Sequence, residues 1–223
     1  MRLARGDPVL VFNGRDGEWR AEVAETGRRA GALICRDQTR PLQMPPDLWL
    51  LFAPLKKART DFIVEKAAEM GAARIVPVQT DFTNAERIRV DRLQAHAVEA
   101  AEQCGGTYVP EVADLVPLAK VLDGWPAERR ILWCNEHLAG AAGAGLAGAG
   151  LAGASLAGAA RGPQGGPWAI LIGPEGGFSD NEQARLGAMA QVVQTSLGPR
   201  ILRADTAVVA ALTLWQAVLG DWG

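Results

Sequence analysis

Leu48-Trp49-Leu50-Leu51-Phe52-Ala53 is an unbroken apolar run of strand length. A strand with one wet face alternates apolar and polar residues, so a continuous run is expected where both faces of a sheet are covered. Comparable short runs follow at Arg74 to Val78, Arg130 to Cys134, Ala169 to Ile172 and Val192 to Ser196. Helical patterns separate them. Thr60 to Met70 places Phe62, Ile63, Lys66, Ala67 and Met70 on one inner side, with Gly71 as the stop. Val90 to Cys104 reads as a second helix, ended by Gly105-Gly106. Ser179 and Glu182 have the spacing of a capping box that starts a third. A last helix is expected from about Thr206 to Leu219. Strands alternating with helices predict an α/β fold built on a mostly parallel sheet.

The first 46 residues follow another rule. Pro8 to Phe12, Trp19 to Val23 and Ala32 to Cys35 read as short strands, with Asn13-Gly14 and Asp16-Gly17 as turns. They predict a small all-β barrel over residues 1–46. Its eight arginines against six acids give it a slightly basic face. Met44-Pro45-Pro46 reads as a linker, which puts the second domain at 47–223. Residues 139–166 interrupt that domain. Leu-Ala-Gly-Ala repeats at Leu146, Leu151 and Leu156 offer little to bury, and the segment is read as a flexible insertion. Gly143-Ala-Gly145-Leu-Ala-Gly148 matches a dinucleotide fingerprint by composition alone. No acid follows until Glu175, and no strand feeds directly into the match.

Charge and cysteines narrow the class. A net charge of -2 excludes a polycation, although a local basic patch remains compatible with nucleic acid. Cys35, Cys104 and Cys134 are far apart and form no Cys-x-x-Cys pair, so no zinc knuckle or disulfide framework is expected. His96 and His137 have no partner at metal-ligand spacing, and no metal is expected. The start Met-Arg-Leu-Ala-Arg lacks the apolar core of a signal peptide, and no long apolar span occurs; a cytoplasmic protein is expected.

Two loops carry the functional reading. Leu171-Ile172-Gly173-Pro174-Glu175-Gly176-Gly177-Phe178 and Leu197-Gly198-Pro199-Arg200-Ile201-Leu202-Arg203-Ala204-Asp205-Thr206 each follow a strand and precede a helix. Ligands of open α/β sheets bind beyond the carboxyl ends of strands. The first loop lacks the Gly-Lys-Ser/Thr ending of a triphosphate site, and suits a flat, nearly neutral ligand held by backbone groups. The second adds two arginines and an acid.

These loops, with the strands before them, resemble the knotted SPOUT methyltransferases, and most closely the RsmE family, which methylates N3 of a uridine in 16S ribosomal RNA. Lys57 through Gly71, Glu102-Gln103-Cys104-Gly105-Gly106 with Val109-Pro110-Glu111, and Gly220-Asp221-Trp222-Gly223 extend the likeness. It spans nearly the whole chain apart from 139–166. The resemblance implies a C-terminal α/β trefoil-knot domain, a small N-terminal PUA-like β-barrel that helps hold RNA, and a homodimer. It implies S-adenosylmethionine (SAM) as cofactor, between Leu171, Ile172, Gly173, Pro174, Glu175 and Gly176 on one side and Leu197, Gly198, Ile201 and Leu202 on the other. Family members usually begin with an extra strand before the segment matching Leu3 to Asp7. On that basis the barrel is expected either to lack an edge strand or to start upstream of this chain.

Uridine N3 must lose its proton before it can attack, and Asp205 is the candidate base; the alternative is that it caps the last helix. Arg203 and Arg200 are candidates for gripping phosphate or stabilising the uracil oxygen, with a surface salt bridge as the alternative. Arg15, Arg20, Arg28 and Arg29 are expected phosphate contacts on the barrel. The expected partner is 16S rRNA or the small ribosomal subunit. A SPOUT enzyme acting on tRNA or a ribose 2′-hydroxyl, and a non-catalytic RNA-binding assembly protein, are the competing readings.

Overall fold

The computed structural model describes residues 3–28, 30–85, 87–139 and 166–222. The insertion assigned to 139–166 therefore lies, apart from its two ends, outside the described residues, as does Arg29. The chain divides into two compact units: residues 1–44 with 101–109, and 45–100 with 110–223.

The first unit is an antiparallel sheet in the order β1 (Pro8–Phe12), β2 (Glu18–Thr26), β3 (Gly31–Arg40). Ala21 and Val23 of β2 are buried, whereas Leu10, Leu33 and Ile34 are exposed. Among the described residues β1 and β3 do not pair, so the sheet is open rather than the closed barrel expected from sequence. The reason is strand number: three strands cannot curl far enough to bring their edges together. Residues 101–109 join this unit through Arg40, which donates to the Gly105 carbonyl at 2.7 Å, and through Thr107, whose hydroxyl accepts from the Gln43 amide at 2.8 Å.

Among the described residues the second unit holds seven parallel strands. They are β4 (Leu48–Phe52), β5 (Arg74–Gln79), β6 (Glu111–Val112), β7 (Val116–Pro117), β8 (Arg130–Cys134), β9 (Trp168–Ile172) and β10 (Val192–Thr195). Their order is β10-β8-β9-β4-β5-β6, with β7 also paired to β5. β9 lies at the centre and all five of its residues are buried, as an apolar run covered on both faces requires. Beneath the sheet Arg129, only 7% exposed, holds Asp47 with two bonds of 2.9 and 3.0 Å and stacks 3.8 Å from the Trp49 ring centroid. That charge is tolerated inside because its Nη atoms are hydrogen-bonded, to Asp47 and, at 3.0 Å, to the Trp168 carbonyl.

Among the described residues the α-helices are α1 (Lys57–Glu69), α2 (Val90–Gln103), α3 (Leu118–Asp123), α4 (Asp180–Ala188) and α5 (Ala204–Leu219). In α1 the buried stripe is Thr60, Asp61, Ile63, Val64 and Ala67. Phe62, expected on the inner side, is instead 38% exposed under the Lys66 ammonium, which lies 5.6 Å from its ring. Asp61 takes the inward place because Arg92 of α2 pairs with it. The helix stops at Gly71, whose φ of 78° is left-handed. Helix α5 buries Ala207, Val208, Ala211, Leu212 and Trp215, a stripe at helical spacing. It packs against α1 and β9. Gln216 is fully buried and donates to the Met70 carbonyl at 2.6 Å, tying α5 to the end of α1.

Candidate active site

The loops that leave β8, β9 and β10 at their carboxyl ends close around one cavity of about 300 Å³. Its walls come from both glycine-bearing segments singled out in the sequence, together with a third that was not, Cys134 to His137 after β8.

Each loop is held by its own bonds. After β9 the Gly177 amide donates to the Pro174 carbonyl at 3.0 Å. Ser179 and Glu182 then form the capping box that starts α4, fixing the far end of the loop. Gly173 has no room for a side chain: a Cβ there would stand 2.7 Å from Cε2 of Phe178. Phe178 itself packs edge-on against Trp133, ring centroids 5.8 Å apart. After β10 the Ser196 hydroxyl donates to the Gly198 carbonyl at 3.0 Å and accepts from the Gly198 amide at 3.3 Å. Gly198 has a φ of 129°, which side chains on L residues strongly disfavour. Asn135 accepts from the His137 amide at 3.0 Å and donates to Gln194 at 3.1 Å, joining the β8 loop to strand β10.

Of the residues expected at a cofactor, Ile172, Gly173, Pro174, Glu175, Leu197, Gly198, Ile201 and Leu202 line this cavity. Leu171 does not; it is fully buried in the core below. Gly176 does not either, and its Cα faces Phe82. Arg200 and Arg203 line the cavity and form no ion pair among the described residues, unlike the surface salt bridges that were the alternative. Arg15 and Arg20, by contrast, pair with Asp16 at 3.0 Å and Asp37 at 2.6 Å. Arg28 is exposed in the first unit.

Asp205 is not the cap of α5. That place belongs to Arg203, and Asp205 lies inside the first turn, where its carboxylate accepts from the Thr206 amide at 3.0 Å. It stands outside the cavity lining. The structure adds a partner the sequence did not suggest. Arg59 of α1 pairs with Glu175 and also reaches Asp205, Nε to Oδ2 3.6 Å. One guanidinium thus joins the β9 loop to the start of α5. Nothing in the local pattern near residue 59 marks it, since its partners lie more than a hundred positions away.

Two cavity residues have unusual surroundings. Cys134 retains some exposed surface, but its thiol is enclosed by protein, and this burial pushes its pKa up to about 12. Trp133 carries a buried indole N–H with no acceptor among the described residues. No group of three or more His, Cys, Asp or Glu is arranged to hold a metal among the described residues. No helix there is long and apolar enough to cross a membrane.

Against known proteins, the family described as the RNA methyltransferase domain matches residues 43–216. The chain belongs to the RNA methyltransferase family. The match takes in the whole cavity and every loop around it. The chain is 25% identical over 212 residues to ribosomal RNA small subunit methyltransferase E of Rickettsia conorii, covering 95% of this chain and 81% of that one. It is 29% identical over 224 residues to the protein of that name from Synechocystis, covering 98% and 69%. A methyltransferase structure from Legionella pneumophila, solved with SAM bound, superposes with a TM-score of 0.80 at 25% identity, covering 98% of this chain and 86% of that one.

Proposed function

We propose that this protein transfers a methyl group from SAM to N3 of a uridine in 16S rRNA of the small ribosomal subunit. The observation that carries the reading is the closure of the β9 and β10 loops on a single cavity. The names of the Rickettsia and Synechocystis relatives point to small-subunit rRNA, and the Legionella structure to SAM.

The cavity suits that cofactor on its own terms. Its floor and sides are apolar at Ile172, Leu197 and Leu202, and main chain is open to a ligand at Gly173 and Gly198. When bound, SAM supplies a sulfonium-activated methyl group. The chain's part is to hold the acceptor in line with it, which contributes much of the acceleration. The N3 proton must leave as the new N–C bond forms and the S–C bond breaks. Asp205 is the proposed acceptor of that proton, with Arg59 as a positioning residue that fixes its carboxylate. Arg203 and Arg200, free of carboxylate partners among the described residues, would stabilise the negative charge that develops on the uracil oxygens, or hold an adjacent phosphate. A base-paired N3 is blocked, so the target base must be flipped or unpaired.

The remaining parts of the reading follow the family resemblance. The trefoil knot is proposed on that resemblance, for the loops after β9 and β10 and the start of α5. The first unit is proposed as a PUA-like RNA-docking domain with Arg15, Arg20, Arg28 and Arg29 as phosphate contacts. The second is proposed as the SPOUT domain, acting as a homodimer in the cytoplasm. To test the reaction, unmethylated small subunits are incubated with the protein and isotope-labelled SAM, and the rRNA is digested for mass spectrometry. The expected product is 3-methyluridine at one position. Label on a ribose hydroxyl, on tRNA only, or nowhere would refute the proposal.

A further inference from the structure

A second cavity, of about 620 Å³, adjoins the first. Pro174 and Glu175 line both, so the β9 loop is the wall they share. The other walls are the segment from Pro54 into α1 and the segment from Asn84 into α2. Among the described lining residues Lys56, Lys57, Arg87, Arg89 and Arg92 stand around it, against two acids. Both acids are already engaged, Asp61 by Arg92 and Glu175 by Arg59. Arg89 pairs with Asp91 outside the lining. Lys56, Lys57 and Arg87 are exposed and form no ion pair among the described residues. In a protein of net charge -2 this is a local concentration of positive charge, and a cleft focuses such a field.

An aromatic ring stands beside it. Phe82 is 48% exposed, and a Cβ on Gly176 would lie 3.4 Å from its own Cβ, so it flanks the shared wall. The turn that carries it is fixed from both sides. The Thr80 amide donates to the Thr83 hydroxyl at 2.9 Å, and the Asp81 amide to Glu182 at 3.0 Å. The side chain of Asp81 accepts from Ser179, the cap of α4. A ring held outward on a pinned turn contributes little to the core and presents a flat face. Cations without ion pairs among the described residues on two segments, with an exposed ring beside Gly176 of the shared β9 loop, match a chain of phosphates and bases better than a single small anion.

We propose that this groove takes the RNA strand flanking the methylated nucleotide, with Lys56, Lys57 and Arg87 on its phosphates and Phe82 stacked on a base. The target base then reaches the first cavity past Pro174 and Glu175. This rests on the RNA methyltransferase reading above.

The test compares the wild-type chain with Lys56→Ala/Lys57→Ala/Arg87→Ala and with Phe82→Ala. Binding of transcribed 16S rRNA is measured across a salt series, and SAM binding by calorimetry on each protein. Loss of three single-strand phosphate contacts, at roughly 0.7 each, lowers the slope of log K against log salt by about 2 in the triple variant. Phe82→Ala weakens binding about tenfold with the slope unchanged. SAM affinity stays at the wild-type value in both. RNA affinity and slope equal to wild type in both variants would overturn the groove, as would a parallel loss of SAM binding, which would place the effect in the fold. Failure of the methyltransferase reading shows separately, as a wild-type chain that does not bind SAM.

Discussion

Gly173→Ala should damage the cavity without touching any charged group. The backbone at Gly173 lies outside the left-handed region, so alanine is conformationally allowed and the effect is purely steric. The new Cβ would meet Cε2, Cζ and Cδ2 of Phe178 at 2.7, 3.1 and 3.2 Å. Carbon atoms pack at about 3.5–4.0 Å, so the ring must move by roughly 1 Å. Phe178 is only 7% exposed and abuts Trp133, itself 2% exposed, so it has no slack on that side. Its escape is into the cavity both rings line. Overpacking of this kind costs about 1–3 kcal/mol, or a fall in Tm of about 2–12 °C for a unit of this size. The displaced ring should also raise the Kd for SAM at least about tenfold. Thermal denaturation and calorimetry read the two effects. Phe178→Leu in the Gly173→Ala background removes the colliding atoms and should restore part of both, a coupling measurable by a double-mutant cycle. Unchanged Tm and unchanged Kd in Gly173→Ala, or no coupling to Phe178, would refute the close-packing argument.

Arg59→Ala releases Glu175 and Asp205 together; because these pairs are partly exposed, stability should change by about 1 kcal/mol or less. Methyl transfer should fall about a hundredfold through lost positioning, with Arg59→Lys intermediate, and steady-state kinetics with unchanged kcat and KM would contradict the role. At pH 8, Cys35 and Cys104 should react rapidly with a thiol reagent and Cys134 slowly, since the first two are exposed and the third is held protonated to about pH 12. The folded state keeps the Cys134 proton that the unfolded chain loses near its ordinary value of 9.0, so this residue's contribution to stability falls as the pH rises above that value. Cys134→Ala should flatten the alkaline limb of a denaturation series. Gln216→Leu leaves the Met70 carbonyl without its donor and should lower stability by about 1–3 kcal/mol in denaturant melts, while Val218→Ala on the outer side of α5 should have a smaller effect.

What could be read from the sequence followed from periodicity and local chemistry. Apolar runs marked β4, β8 and β9, and the Ser179–Glu182 capping box marked the start of α4, because each is decided within a few residues. Phe62 misled, because an inward hydrogen-bonded Asp61 rotated the buried stripe of α1 away from it. The two-residue strands β6 and β7 carry too short a pattern to register, and only pairing with β5 defines them. The two glycine loops were legible as a pair, and the structure brings them to one cavity. Arg59, the β8 loop and the groove at Lys56, Arg87 and Phe82 were not, because each gains its meaning from residues distant in the chain. The placement of Asp205 one position inside α5 likewise depends on where the helix starts, which propensity fixes only to within a residue or two.

The account stands most directly on whether the cavity between the β9 and β10 loops binds SAM. Calorimetry on the wild-type chain should give about one SAM per chain, and Gly173→Val/Gly198→Val, checked by circular dichroism to be folded, should bind none. A folded wild-type chain that takes up no SAM, or a double variant that binds it as tightly as wild type, would contradict the assignment of that cavity.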